Sequence, residues 1–509
     1  MTEKATDTTA DSHTCTTLII GAGFSGLGTA FKLKEAGIDD IVLLERSSRL
    51  GGTWRDNTYP GAAVDIPSML YSFSFAPNPR WSRTFAPGPE IRRHIEGLAD
   101  RFDVKRLIRF NEEVVALEFL EADGIWIVTT RAGEKLRART VVSAGGPLSD
   151  SSFPKIKGID DFQGHKILSS KWDHDYDMAG KHVAVIGTGA SAVQIVPELV
   201  KTAKSVKVFQ RTPGWILPRP DFPVPDALQK LYEVVPATQR LSRTALFYGH
   251  ETLATGLVWN SPITTLIQKV AMANLRTQVK DPWLRRQLTP DFRAGCKRLI
   301  ASSDFYPALQ AENCKLITWP IARMSENGIR TAEGIEHQFD CIVFATGYDV
   351  HLDGPPFAVT GRGGRTLKEK WHGHASAYKS AHTNGFPNLF FTNGPNSGPG
   401  HNSLLVYLEG QIDYAVRGIR TIVDQDLRYL DVREDVERKY NAQIQKRLKH
   451  TTWMTGCRSW YLTADGYNAS MYPGFATQYL SQMRSFKAKD YLMVQRSAQP
   501  ARPQVAHAR

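Results

Sequence analysis

The chain has no CxxC pair, no run of five or six like charges and no unbroken apolar stretch long enough to cross a bilayer. Each absence removes a class of function. Its five cysteines, Cys15, Cys296, Cys314, Cys341 and Cys457, have neither the spacing of a zinc site nor that of a disulfide framework, and fit a reducing cytosol. A flavin disulfide reductase needs a redox pair at CxxC or CxxxxC spacing, so that class is set aside. The most apolar internal stretch, LVWNSPITTLIQKV, is broken by Asn, Ser, Gln and Lys, and no membrane span is expected. Residues 1–14, MTEKATDTTADSHT, lack the apolar core of a signal peptide, so the expected location is cytoplasmic. The net charge is +12, but Lys and Arg are dispersed. That disfavours nucleic acid and fits anionic small molecules. The tail from Arg496, RSAQPARPQVAHAR, reads as disordered.

What is present is a pair of nucleotide-binding turns. Residues 16–46 form an apolar strand, a turn with Gly21, Gly23 and Gly26, an amphipathic helix and a second strand ending at Glu45. The first glycine permits the turn, the second admits a pyrophosphate, and the third lets helix pack on strand. An acid at Glu45 accepts ribose hydroxyls and repels a 2′-phosphate, which suits FAD. A second unit at 182–212 has Gly187, Gly189 and Ala192 in the turn, with Ser191 at the start of its helix. Its second strand leads to Arg211 and Thr212, where an arginine can pair with a 2′-phosphate and select NADPH. Two such units in one chain imply hydride transfer from NADPH to a flavin.

The expected fold is α/β, with two Rossmann-like dinucleotide-binding domains, for FAD and NADP, and a helical insertion. The turns SAGG (143–146) and ATGYD (345–349) each follow an apolar strand and mark passages between the domains. They suggest an FAD domain from 1–146 and 348–509, and an NADP domain from 147–215 and 291–347. The stretch 216–290 is expected as the helical insertion.

Residues 51–65, GGTWRDNTYPGAAVD, match a pattern of glycines, Trp54, Tyr59, Pro60, Gly61 and Asp65. On this segment, together with the two turns, the chain resembles the class B flavoprotein monooxygenases, and within them the type I Baeyer–Villiger monooxygenases. The resemblance runs over roughly residues 15–475. It implies that Gly52, Thr53, Trp54, Asp65 and Tyr71 lie by the flavin and that Asp65 pairs with an arginine. That arginine is expected to be Arg298, in GCKRLIASSDFYPAL, while Lys297 would help Arg211 and Thr212 hold the 2′-phosphate. The loops GPNSGPGHNS (394–403), CRSWY (457–461) and GYNASMYPG (466–474) are expected beside substrate or flavin. His401 is read as structural.

The implied activity is an NADPH- and O2-dependent conversion of ketones to esters or lactones through a C4a-peroxyflavin, with sulfoxidation as a side activity. Arg298 would stabilise negative charge on the peroxide and on the adduct, and Asp65 would orient it. The alternative is a related flavin monooxygenase that oxygenates nitrogen or sulfur and does not need the Asp–Arg pair. One position departs from the family pattern. The segment FQGHKILSSKWD (162–173) carries Leu168 where the pattern has histidine. Leu168 is expected to pack beneath the linker, leaving polar contacts to His165 or His174.

Overall fold

The computed structural model describes residues 13–348, 354–457 and 459–496. The N-terminal twelve residues, and the tail beyond Arg496, lie outside that range. Arg496 itself sits 3.8 Å from Asp426.

Two sheets organise the chain. In the larger, the parallel strands Thr14–Ile20, Ile41–Glu45 and Ile108–Phe110 lie side by side, and Lys135–Ser143 flanks the first of them. The early part of Lys135–Ser143 turns back antiparallel on Ile125–Thr130, and its end is joined by Leu389–Phe391 in parallel. Thus a strand from the far end of the chain completes the first sheet. The smaller sheet is wholly parallel, ordered Cys314–Ile317, Ser205–Phe209, His182–Ile186, Cys341–Phe344, His165–Leu168. Its central strand HVAVI is buried from Val183 to Ile186, as expected for a strand covered on both faces.

Each sheet carries one β-α-β unit with the same construction. Gly21 has φ of +105°, and a Cβ there would meet the carbonyl oxygen of Ala144 at 2.8 Å. Gly187 has φ of +121°, and its Cβ would lie 2.3 Å from the oxygen of Ala345. Both turns are therefore tucked under the end of a neighbouring strand, in a backbone region that only glycine enters without strain. The neighbours are SAGG and ATGYD, whose Ala144 and Ala345 N–H groups bond back to Ile20 and Ile186.

Between Ser205–Phe209 and Cys314–Ile317 of the smaller sheet the chain forms the helices Asp226–Val234, Pro236–Leu257, Pro262–Gln278 and Pro282–Gln287. They begin ten residues later than the sequence suggests. Ile216–Leu217 instead pair with Ile300–Ala301, and prolines at 218, 220, 223 and 225 bar a helix from the stretch between.

The cysteine expectation needs correction. Cys296 and Cys457 form a disulfide across 161 residues. Local spacing carries no trace of a pair that only tertiary folding brings together. The thiols of Cys15, Cys314 and Cys341 are free, and burial pushes each up to about 12.

Candidate active site

The helix Phe24–Glu35 starts at Gly23 and Ala190–Leu199 at Gly189; neither has a side-chain cap or an acid in its first turn. Their first N–H groups therefore face the turns without an internal acceptor, as a pyrophosphate site requires. Beside the first turn, Glu45 is 4% exposed. Its carboxylate accepts from the N–H groups of Ala22 and Ser47 and pairs with Arg55 at 2.7 Å. Those bonds fix the acid at the mouth of the turn and leave lone pairs for hydroxyl donors.

The 51–65 segment lies directly on this turn. A Cβ on Gly52 would stand 3.1 Å from Gly23 Cα, and Gly52 has φ of +54°. From there the one-turn helix Thr53–Asp56 leads out. Trp54 donates its indole N–H to the hydroxyl of Tyr71 at 2.9 Å, and the rings meet edge to face. Further on, Tyr59 donates to Gln194 at 3.0 Å, while the Gln194 amide bonds both N–H and C=O of Ala63. Gln194 belongs to the helix of the second unit, so the segment bridges the two dinucleotide turns.

At the end of the bridge stands Asp65. Arg298 donates from Nε and Nη2 to its Oδ2, at 2.9 and 2.6 Å. The pair spans 233 residues and is partly open to solvent, with 48% and 29% of the Arg298 and Asp65 side chains exposed. An ion pair this open adds little to stability, so its worth lies elsewhere. The charge of Asp65 outweighs burial and raises the guanidinium above its already high range. Arg298 is a fixed positive charge.

Tyr71 and Tyr461 complete the surroundings. Both phenols are pushed up to about 12, mainly by burial, with Arg298 and Asp65 near enough to act on each. Tyr461 rests on Trp460 and Trp453, ring centroids 4.4 and 6.4 Å away. Sequence reasoning placed the CRSWY loop near the site without singling out this tyrosine.

Lys297, next to Arg298, goes elsewhere. Its ammonium lies 4.7 Å above the Phe292 ring. Burial lowers its pKa, and the charge of Arg211 lowers it further. Arg211 is thus near enough for its charge to act on Lys297. Thr212 is positioned there by its carbonyl, which accepts from Thr188 at 3.0 Å, and Ser191 lies at the start of the adjacent helix. The predicted residues thus fall into three groups: the first turn with Glu45, the second turn with Arg211, Thr212 and Lys297, and Asp65 with Arg298, Trp54 and Tyr71 at their junction.

Leu168 is 8% exposed and packs with Phe162, Ile186 and Phe344. His174 reaches Thr58 at 2.8 Å, and His165 stacks on Tyr176 and lies 3.0 Å from Asp173. The strand end where the family pattern has histidine is apolar here. His401 is buried and meets Glu251 at 2.9 Å. Glu251, in the long helix Pro236–Leu257, also accepts from Ala476 N–H and from the N–H and hydroxyl of Thr477. Burial would raise this carboxyl, but these donors outweigh it and hold it at about 2. The pair ties the helical region to the loops at 401 and 476.

Known proteins resemble this chain in sequence and in fold. A family model described as pyridine nucleotide-disulphide oxidoreductase matches residues 18–240. A Baeyer-Villiger monooxygenase of Pseudomonas aeruginosa is 40% identical over 486 residues, covering 95% of this chain and 92% of its own. The structure of an oxidized steroid monooxygenase bound to NADP superimposes with a TM-score of 0.85 at 28% identity, over 95% of this chain and 100% of the other. A complex of OTEMO with FAD and NADP gives 0.84 at 28% identity, with the same coverage. With two uncapped dinucleotide turns and a relative 40% identical over nearly its whole length, the chain belongs to the Baeyer–Villiger monooxygenases, flavoproteins that use FAD and NADPH.

Proposed function

We propose that the enzyme oxidises a small hydrophobic ketone to an ester or lactone, with Arg298 as its catalytic residue and Asp65 as the carboxylate that orients it. The observation that carries this reading is the partly exposed Arg298–Asp65 pair at the end of the segment that joins the two turns. Bound FAD supplies the activation of O2, and bound NADPH supplies the hydride. The chain's own residues supply charge and shape. Arg298 stabilises the negative charge that develops when a carbonyl is attacked, and it does so at any working pH. Asp65 balances the positive charge of Arg298 beforehand and fixes the guanidinium through two N–H groups. Trp54 and Tyr71, tied to each other, wall the flavin side and exclude water.

In the same reading, Gly21, Gly23, Gly26, Glu45, Gly52 and Thr53 hold FAD. Gly187, Gly189, Ser191, Arg211, Thr212 and Lys297 hold NADPH, with the Lys297–Arg211 pair on its 2′-phosphate. Residues 1–146 and 348–509 form the FAD domain, and 147–215 with 291–347 the NADP domain. The helical insertion between them is 216–290, narrowed here to the helices from Asp226 to Gln287. Among the described residues no helix is long and apolar enough to cross a membrane. A cytoplasmic location belongs to the proposal, because a highly charged dinucleotide does not cross a bilayer and must be met where it is made.

The test supplies the enzyme with NADPH, 18O2, a panel of ketones and one thioether, and reads products by mass spectrometry. Labelled esters or lactones are expected. Labelled sulfoxide with every ketone untouched would overturn the reading in favour of heteroatom oxygenation.

A further inference from the structure

We propose that the Cys296–Cys457 disulfide is a positioning crosslink for the reacting pair. It holds Arg298 against Asp65 and brings the Tyr461 loop to the same place. The inference rests on the reading of Arg298 and Asp65 given above.

The argument begins with where the bridge falls. Cys296 is fully buried and is followed at once by Lys297 and Arg298. On its N-terminal side the chain is pinned. Gly295 has φ of +89°, and a Cβ there would meet the Leu257 carbonyl at 3.2 Å and the Thr452 methyl at 3.3 Å. Thr452 in turn donates its N–H to Val258 at 2.8 Å. The end of the long insertion helix, the 294–296 segment and the 452–454 turn are thus packed into one junction. On the C-terminal side, Ile300 and Ala301 enter the ladder with Ile216 and Leu217. Only three residues, Lys297 to Leu299, run between the two anchors, and Arg298 is the middle one.

The other end of the bridge lies in a looser stretch. Thr455 and Gly456 are exposed, and Trp460 is 45% exposed. Tyr461, by contrast, is buried, and near enough to Arg298 and Asp65 for their charges to act on its phenol. Cys457 ties this stretch to the junction between its two buried ends, Trp453 and Tyr461. One covalent bond therefore fixes the approach of both the guanidinium and the phenol. A durable structural disulfide is uncommon in a reducing compartment, and a bridge placed one residue from the Lys297–Arg298 pair points to control of geometry there.

Opening and closing the bridge is ordinary thiol–disulfide exchange. A dithiol such as dithiothreitol gives two electrons and two protons to the sulfur–sulfur bond, leaving two cysteine thiols and the cyclic disulfide. Oxidised glutathione reverses this, taking two electrons and two protons and leaving two reduced glutathiones.

The experiment uses FAD-loaded enzyme purified without reductant, with the bridge verified by non-reducing peptide mapping. Two rates are read before and after dithiothreitol: anaerobic flavin reduction by NADPH, and aerobic NADPH oxidation with hydrogen peroxide release in the absence of ketone. Opening the bridge is expected to raise peroxide release severalfold while flavin reduction stays unchanged. Oxidised glutathione should restore the original rate. Cys457→Ser should behave as the opened enzyme and be deaf to both reagents. Should that variant fail to fold or to retain FAD, the reduced wild-type protein still decides the matter.

Peroxide release unchanged after verified opening would overturn the proposal, as would peptide mapping that finds both thiols free in the tightly coupled enzyme. A fall in melting temperature with both rates unmoved would reduce the bridge to a stability element and overturn it equally. Arg298→Ala separates the parent reading: labelled ester formed at the wild-type rate by that variant would sink the role of Arg298, whatever the bridge does.

Discussion

Arg298 spends two of its N–H-bearing nitrogens, Nε and Nη2, on a single oxygen of Asp65. Nη1 takes no part in the pair, so the guanidinium is oriented without being consumed. Arg298→Lys retains the charge and loses the fork. It is expected to lower ester formation by about 100-fold or more, the scale of removing one preorganised donor. Flavin reduction by NADPH should stay near wild type. Product yield per NADPH consumed checks this, and full yield from the lysine variant would contradict it.

The Lys297–Arg211 pair makes a separable prediction about cofactor choice. Each cation is expected to contribute about 1.5–3 kcal/mol as a charge-assisted donor to the 2′-phosphate. Lys297→Ala and Arg211→Ala should therefore raise KM for NADPH by about 10- to 100-fold while hardly altering KM for NADH. Steady-state kinetics with both nucleotides decide the point. Equal loss with the two would remove the phosphate assignment.

Glu251 gives a pH dependence with a definite sign. Its carboxyl is held at about 2 in the fold against an ordinary 4.5. The folded state thus favours the charged form, and its contribution is fully present above pH 4.5. It is lost as pH falls from there toward 2. Glu251→Gln should flatten the acid limb of the stability curve in that window. At neutral pH, Glu251→Ala should cost about 3 kcal/mol, as expected for a buried pair broken from one side. Denaturant melts between pH 2 and 7 measure both.

Restoring the family's histidine should not help. Leu168→His would place an imidazole among Phe162, Ile186 and Phe344 and cost about 1–3 kcal/mol for an unsatisfied polar group. The loss should grow from pH 8 to pH 6, because protonation would bury a charge. Thermal melts at the two pH values test this. A stabilised variant with a lower peroxide leak would show instead that a partner for the histidine persists in this chain.

The parts legible in the sequence were those whose partners are near in the chain. Both dinucleotide turns, the strands that end at Glu45 and near Arg211, and the strand ends at SAGG and ATGYD follow from patterns within about 30 residues. The pairs that build the junction were not legible in that way. Asp65 meets Arg298 across 233 residues, Cys296 meets Cys457 across 161, and Glu251 meets His401 across 150. Periodicity has no reach over such distances, and Asp65–Arg298 was accessible only through resemblance. The helical region begins at Asp226 and not at 216 for a local reason, the four prolines that precede it.

Gln194 joins the second β-α-β unit to the segment that ends at Asp65. Its amide bonds both N–H and C=O of Ala63, taking the place that a neighbouring strand would hold. Asp65 follows two residues later, a span of about 7 Å at full extension. The course of the chain into Asp65 is therefore set from the helix that begins at the second turn, by one side-chain amide standing in for a strand.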